Sequence, residues 1–191
     1  AGFTHADFRA AAFGYFGHMW ELYTFWAFVP VMLAFYKTQF PQSELNVPLY
    51  SFMIIATGSL ACALSGLLSQ KYPAKKIATM ALLLSGLCCV LSPLFLLHGT
   101  TWMLLAFLFF WGIVVIADSP LFSTLVAQAA PQESRGSALT IVNCIGFTIT
   151  IISIQFINLA STFIHAQYVY LLLAIGPAFG LLALLRKPVE N

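Results

Sequence analysis

Long apolar runs separated by short polar connectors dominate the sequence. The runs cover residues 8–36, 47–69, 77–97, 102–129, 137–160 and 168–185. Most of the charged residues fall in the connectors, as in KTQFPQSELN at 37–46 and PQESRG at 131–136. A helix of about 20 apolar residues crosses the roughly 30 Å hydrocarbon layer of a bilayer. The pattern therefore predicts an all-α membrane protein, with residues 1–191 forming a single domain of six transmembrane helices.

The composition indicates that lipid is the main solvent of this chain. Hydrophobic residues make up 61% of the sequence and charged residues only 7%, whereas soluble domains carry about 25% charged residues. So few charges cannot cover a surface that faces water. The formal net charge of +2, without a basic cluster, excludes a nucleic-acid partner. We expect an integral membrane protein surrounded by membrane lipid.

Basic residues are distributed unevenly between the two sets of connectors. One set, together with both ends of the chain, carries seven of them, and the other set carries only Lys37. The seven are Arg9, Lys71, Lys75, Lys76, Arg135, Arg186 and Lys187. Because connectors rich in Lys and Arg stay on the cytoplasmic side, we predict that both ends are cytoplasmic. Tyr36, Trp102 and Tyr168 fall at the predicted outer ends, where aromatic rings favour the headgroup layer.

The start of the sequence does not have the pattern of a signal peptide. It begins at Ala1, and no charged segment followed by a short apolar core and a cleavage site comes after it. We expect a piece of a longer protein, or a chain whose start has been removed.

The sequence contains no motif for catalysis, and we predict that the protein is not an enzyme and has no cofactor. GxSxG, P-loop, GxGxxG and HExxH patterns are all missing. The four cysteines, Cys62, Cys88, Cys89 and Cys144, lie in apolar stretches without CxxC or Cys/His spacing. We predict that they are small apolar packing residues. No metal site is predicted, because the spans supply too few imidazole and thiolate ligands.

One connector resembles the signature loop of the major facilitator superfamily. GLLSQKYPAKK at 66–76 is similar to the family pattern, roughly G-x-L-a-D-r-x-G-r-[RK]. The matching positions are Gly66, Leu68, Lys71 and Lys75. Gln70 stands where the family has an Asp, and Pro73 stands where it has a Gly.

Two further stretches carry the same resemblance. Residues 117–147, with P-x-x-x-R-G at 131–136, are similar to a span, loop and span of the C-terminal halves of these carriers. HMWELYTFWAF at 18–28 resembles the seventh helix of a bacterial branch of the superfamily.

The resemblance covers essentially the whole chain, as helices seven to twelve. It implies a C-terminal six-helix half made of two inverted three-helix repeats, in a bacterial inner membrane. An N-terminal six-helix half, in the same chain or a separate one, or a second copy of this chain, would complete the path. It also implies that the first and fourth spans line that path.

Two carboxylates lie about halfway along predicted spans, Glu21 in the first and Asp118 in the fourth. A charged group at the bilayer centre costs at least about 2.5 to 3.5 kcal/mol on insertion scales, so such groups are rare and usually functional. Desolvation favours the uncharged form of a carboxylic acid, which can then exchange protons near neutral pH. His18 lies three residues before Glu21 and shares its helix face. We predict proton coupling at Glu21, with His18 as its partner, and at Asp118.

Aromatic and polar side chains on the neighbouring helix faces predict a substrate pocket. They are Phe25, Met53, Thr57, Trp111, Phe122, Asn143 and Phe147. No Lys or Arg lies deep in a span, so the charge partner of an anionic substrate would have to come from the other half of the transporter.

These features predict a secondary active transporter that moves a small solute by alternating access, coupled to protons. Two alternatives stay open: an uncoupled facilitator of a cationic or neutral solute, and a membrane scaffold or sensor that does not transport. Each candidate also has a structural interpretation. Glu21 would bond to a neighbouring helix, Asp118 would satisfy backbone groups freed at Pro120, and His18 would pack against Glu21.

Overall fold

The computed structural model describes residues 5–185, and this part of the chain contains helices and turns but no strand. The α-helices are α1 (Ala6–Gln39), α2 (Val47–Leu68), α3 (Ala74–His98), α4 (Thr101–Ala117), α5 (Ser119–Ala129), α6 (Arg135–Ala160) and α7 (Ile175–Leu185). Short 3-10 helices occupy Gln132–Ser134 and Val169–Ala174. The predicted all-α class is confirmed. Arg186 and Lys187, used in the orientation argument, lie outside the described residues.

Five segments of the described chain are long and apolar enough to cross a membrane, and a sixth apolar segment is shorter. The five are Ala6–Gln39, Val47–Leu68, Ala74–His98, Thr101–Ala129 and Gln132–Ala160. The sixth is Val169–Leu185, which begins as a 3-10 helix before α7. Pro177 lies in the first turn of α7, where a residue without an N–H group is tolerated.

Pro93 and Pro120 free carbonyl groups that nearby side chains then contact. Pro93 leaves the Cys89 carbonyl without its helical donor, and the Ser92 hydroxyl donates to that oxygen at 2.8 Å. Pro120 frees the Ile116 carbonyl in the same way, and the fourth span breaks at Asp118, between α4 and α5. The Cys62 thiol of α2 reaches the Ile116 oxygen at 3.8 Å.

α1 lies in the interior of the helical bundle and contacts all the other helices. Its exposed positions Ala27, Val31 and Ala34 recur at helical spacing, and the expectation that the first span lines a central path stays a prediction. The least buried membrane-length helices are α2 and α6. The prediction for Tyr36 was wrong, because its ring is buried and its hydroxyl donates to the Gly99 carbonyl at 2.9 Å instead of facing headgroups.

Glycines bring α1 and α7 into close contact. A Cβ atom added to Gly17 would meet the Gly176 carbonyl, and one added to Gly176 would meet the Gly17 carbonyl. Gly14 and Gly180 lie one turn away, and the two backbones approach closely there too. Small residues at this spacing let helices pack backbone to backbone in lipid. This contact fixes α1 in depth and rotation, and so positions His18 and Glu21.

Hydroxyl groups join α1 to α6 along the same stretch. Thr150 donates to the Met19 carbonyl at 3.1 Å, Ser153 donates to the Trp20 carbonyl at 2.6 Å, and Thr24 donates to the Ser153 hydroxyl at 2.8 Å. Such bonds help to hold membrane helices together where water is excluded.

Candidate functional site: two buried acids beside α1

Glu21 is hydrogen-bonded by three donors from two other helices. Its side chain is only 1% exposed. The indole Nε1 of Trp111, on α4, donates to Oε1 at 2.7 Å, and the Cys89 Sγ of α3 lies 3.3 Å from the same oxygen. The Ser85 hydroxyl, also on α3, donates to Oε2 at 2.8 Å. Glu21 therefore connects α1, α3 and α4 in the interior of the bundle.

Ser85 and Cys89 were not predicted as site residues. Their spacing of four residues places both on one face of α3, directed at α1. A small polar pair of this kind within the apolar run LLLSGLCCVLS (82–92) was the available signal. The prediction that all the cysteines only pack was wrong for Cys89 and Cys62, because both donate hydrogen bonds.

His18 pairs with Asp118 and not with Glu21. Its Nδ1 lies 2.8 Å from Asp118 Oδ1, and both side chains are 1% exposed. The predicted pairing with Glu21 was wrong for a geometric reason. Residues three apart on a helix differ by about 60° in direction. This difference is enough for Glu21 to face α3 and α4 while His18 faces the α4–α5 junction.

The Asp118 side chain has fewer partners than that of Glu21. Within residues 5–185, neither Asp118 oxygen accepts an aligned hydrogen bond, and His18 Nε2 has no partner. Asp118 does not cap α5 with its side chain, so its expected role at the proline break is not observed. The rings of Tyr15 and Phe122 lie 6.1 and 5.9 Å from the His18 ring. The result is a buried imidazole–carboxyl contact with open hydrogen-bonding capacity among the described residues.

The predicted substrate residues fall into a buried group and a surface group. Phe25 and Trp111 are fully buried with ring centroids 4.6 Å apart, and Phe122 packs on His18. Met53 on α2 and Phe147 on α6 are 42% and 49% exposed.

Thr57 and Asn143 are half-buried on those same two helices. The Thr57 hydroxyl donates to the Ile54 carbonyl of its own helix at 2.7 Å. α2 and α6 each pack against α1 but not extensively against each other. The seven residues are therefore not gathered in one pocket in this structure.

Comparison with known protein families identifies the chain. Residues 11–191 match the description Major Facilitator Superfamily. The chain belongs to the major facilitator superfamily. It is accordingly an integral membrane protein of a family of small-solute transporters. A search of curated proteins finds no match to it.

In this major facilitator chain the signature-loop residues surround the α2–α3 turn. Gly66 and Leu68 lie in the last turn of α2, Lys71 lies in the turn, and Lys75 lies in the first turn of α3. Both lysine side chains are exposed. None of these four residues is among the hydrogen-bond or ion-pair partners of Glu21, His18 or Asp118.

A metal centre is not evident in the part of the chain that the structure describes. No group of three or more His, Cys, Asp or Glu side chains gathers there in a way that would hold a metal ion. Among the described residues, no third side chain of these types joins His18 and Asp118. The partners of Glu21 are hydrogen-bond donors. The chemistry that the described side chains offer is proton binding and hydrogen bonding.

Proposed function

We propose that this protein is a secondary active transporter that moves a small solute by alternating access and couples that movement to protons. The observation that carries the proposal is the burial of three ionisable side chains in the interior of the helical bundle. Glu21, His18 and Asp118 are each 1% exposed, and they lie where α1 meets α3, α4 and α5. Ionisable groups inside membrane segments are costly and usually belong to substrate or proton pathways.

Glu21 and Asp118 differ in the groups that bind them. Glu21 has three donors, which stabilise its ionised form. Asp118 faces a single imidazole, so a proton exchanged there alters the contact between α1 and the α4–α5 junction. This contact between His18 and Asp118 lies at the break between α4 and α5. Its change with protonation supports a conformational change between two states of the bundle.

The exposed face of α6 supports a solute path beside the bundle. Thr140, Cys144, Thr148 and Gln155 are exposed at helical spacing along this membrane-length helix. The Thr140 and Thr148 hydroxyls donate to carbonyls of their own helix. The Gln155 amide is poorly solvated by lipid tails, so it favours a polar path or another protein surface on this face. In the proposal, a second six-helix half or a second copy covers α2 and α6. We also propose that the six spans form two inverted three-helix repeats. The protein lies in a bacterial inner membrane, with both ends of the chain in the cytoplasm.

The test measures proton movement driven by solute. The protein, together with the six-helix half or second copy that completes the proposed path, is reconstituted in liposomes that contain a pH-sensitive dye, and a panel of small solutes is added outside. We expect at least one solute to change the internal pH, and Glu21→Gln and Asp118→Asn to abolish or strongly reduce that change. Glu44→Gln is the matched control, because Glu44 is exposed at a connector, and it should behave as the unaltered protein.

Other outcomes favour the alternatives. Solute uptake without any proton movement would point to a facilitator, and a panel without any uptake would point to a scaffold or sensor. If Glu21→Gln folds and couples normally, Glu21 is a structural link between helices and its coupling role is refuted.

A further inference from the structure

The Ser85 hydroxyl lies between two acceptors. Its Oγ is 2.8 Å from Glu21 Oε2 and 3.1 Å from the Leu82 carbonyl of its own helix. A hydroxyl has one hydrogen and two acceptor lone pairs. It can therefore donate to only one of these two oxygens at a time, while it accepts a hydrogen bond from elsewhere.

The two oxygens of Glu21 differ in the kind of partner they have. Oε1 receives the Trp111 indole N–H at 2.7 Å and faces the Cys89 thiol at 3.3 Å. An indole N–H is a donor only, and a proton on Oε1 would find only the Cys89 sulfur, a weak acceptor. Among the described residues, Oε2 is bonded by Ser85 alone, and Ser85 can donate or accept.

We propose that Glu21 binds its proton on Oε2 and that Ser85 is the positioning residue that serves both charge states. In the ionised state Ser85 donates to Oε2. When a proton is added to Oε2, the new O–H donates to Ser85 Oγ, and the Ser85 hydrogen turns to the Leu82 carbonyl. The proton comes from hydronium of the aqueous phase, so one O–H bond breaks there as water is released and one O–H bond forms at Oε2, and the network loses no hydrogen bond in either state. This inference deepens the proposed proton coupling and rests on it.

Other titratable groups around Glu21 are few among the described residues. Cys89 and Cys88 lie on α3, Asp118 lies at the α4–α5 junction, and His18 lies one turn earlier on α1. Substitution of Ser85 leaves all four in place. A change in the titration of Glu21 on substitution of Ser85 then reports the hydroxyl itself.

Infrared spectroscopy of the purified protein in lipid, titrated with pH, tests this inference without knowledge of the solute. The carboxylic C=O stretching band that disappears in Glu21→Gln belongs to Glu21. In Ser85→Ala we expect the pH at which this band is half lost to rise by about one unit, because a hydrogen bond to a carboxylate is stronger than one to a neutral acid. Ser85→Thr keeps the hydroxyl and should restore the original midpoint.

Ser65→Ala is the matched control. Ser65 is also buried and donates to the carbonyl three residues earlier, that of Cys62, at 3.0 Å, but it does not bond a carboxylate. Its substitution should leave the Glu21 band unchanged. Where Ser85→Thr does not fold because of its added methyl group, Ser85→Cys keeps a weaker donor and should give a midpoint between those of the unaltered protein and Ser85→Ala.

The possible results separate this inference from the proposed function. If the Glu21 band titrates but Ser85→Ala leaves its midpoint where it was, the role of Ser85 is wrong and proton binding at Glu21 stands. If no band that depends on Glu21 titrates over the pH range in which the protein is folded, both the role of Ser85 and coupling through Glu21 are refuted.

Discussion

At the scale of single residues, the site depends on which way two neighbours on α1 point. Glu21 faces α3 and α4, where three donors hold it, and His18 faces Asp118. Hydrogen bonds to a charged group contribute about 1.5–3 kcal/mol each. Loss of one such partner should therefore be measurable as a loss of stability, in addition to any effect on transport.

Trp111→Phe should destabilise the protein by about 1.5–3 kcal/mol, because it removes the N–H that donates to Glu21. The measurement is the free energy of unfolding in mixed detergent–lipid micelles. Trp26→Phe makes the same change in ring size, but Trp26 Nε1 is buried without a hydrogen-bond partner among the described residues. The Trp26 variant should lose much less stability. Equal losses in the two variants would mean that ring size, and not the bond to Glu21, causes the effect.

Double-mutant cycles should identify the partner of His18. The His18→Gln and Asp118→Asn pair should show an interaction energy of about 1 kcal/mol or more in the free energy of unfolding, because the two side chains are in direct contact. The His18→Gln and Glu21→Gln pair should be additive to within about 0.5 kcal/mol. The reverse pattern would restore the His18–Glu21 pairing that the sequence suggested.

At the scale of helices, close packing of α1 against α7 sets where the site residues stand. Gly17 and Gly176 leave no room for a Cβ atom, because the opposing backbone occupies that position. Side chains in membrane proteins gain little from moving out of lipid into the bundle, so fit and hydrogen bonds decide helix association. A small change in this contact should shift α1, and with it both acids.

Gly176→Ala should cost about 1–3 kcal/mol of stability, because the added methyl group meets the Gly17 carbonyl. Gly66→Ala in α2 is the control, since a Cβ there meets nothing within 4 Å. It should raise stability by about 0.5–1 kcal/mol, because alanine favours the helical backbone. Thermal unfolding in detergent compares the two variants. Similar effects in both would contradict the close packing of α1 and α7.

At the scale of the whole molecule, the distribution of charge predicts how the bundle sits in the membrane. Lys71 lies in the turn between α2 and α3, and Lys75 and Lys76 lie in the first turn of α3. Beside the connector between α1 and α2 the only Lys or Arg is Lys37, in the last turn of α1. Even this one lysine is engaged, because its Nζ donates to the Leu45 carbonyl at 3.0 Å. The basic connectors should therefore face the cytoplasm.

Cysteine labelling in intact cells tests this orientation. In a Cys144→Ala background, which removes the exposed native thiol, Gln42→Cys should react with a membrane-impermeant maleimide added outside. Lys71→Cys should react only after the cells are opened. Both positions are exposed to solvent or headgroups in the structure. Labelling of Lys71→Cys in intact cells, with Gln42→Cys protected, would show the opposite orientation.

The candidate site was predictable in part. The carboxylates at Glu21 and Asp118 are conspicuous because charged residues are rare in apolar runs, and the structure buries both. Ser85 and Cys89 are ordinary small residues in a helix, and nothing in their local sequence states that a carboxylate lies opposite. Met53 and Phe147 share helix faces with polar neighbours, but this does not show whether those faces point inward, and both side chains are exposed.

The sequence by itself determined the helical class, the approximate spans and the presence of buried acids. These follow from the length and apolarity of segments, which are properties along one dimension. The tertiary structure alone decided that His18 meets Asp118, that Ser85 stands between Glu21 and Leu82, and that α1 is in the interior of the bundle. Contacts between helices depend on rotation and depth, which backbone packing at Gly17 and Gly176 sets, and a hydrophobic pattern does not encode either quantity.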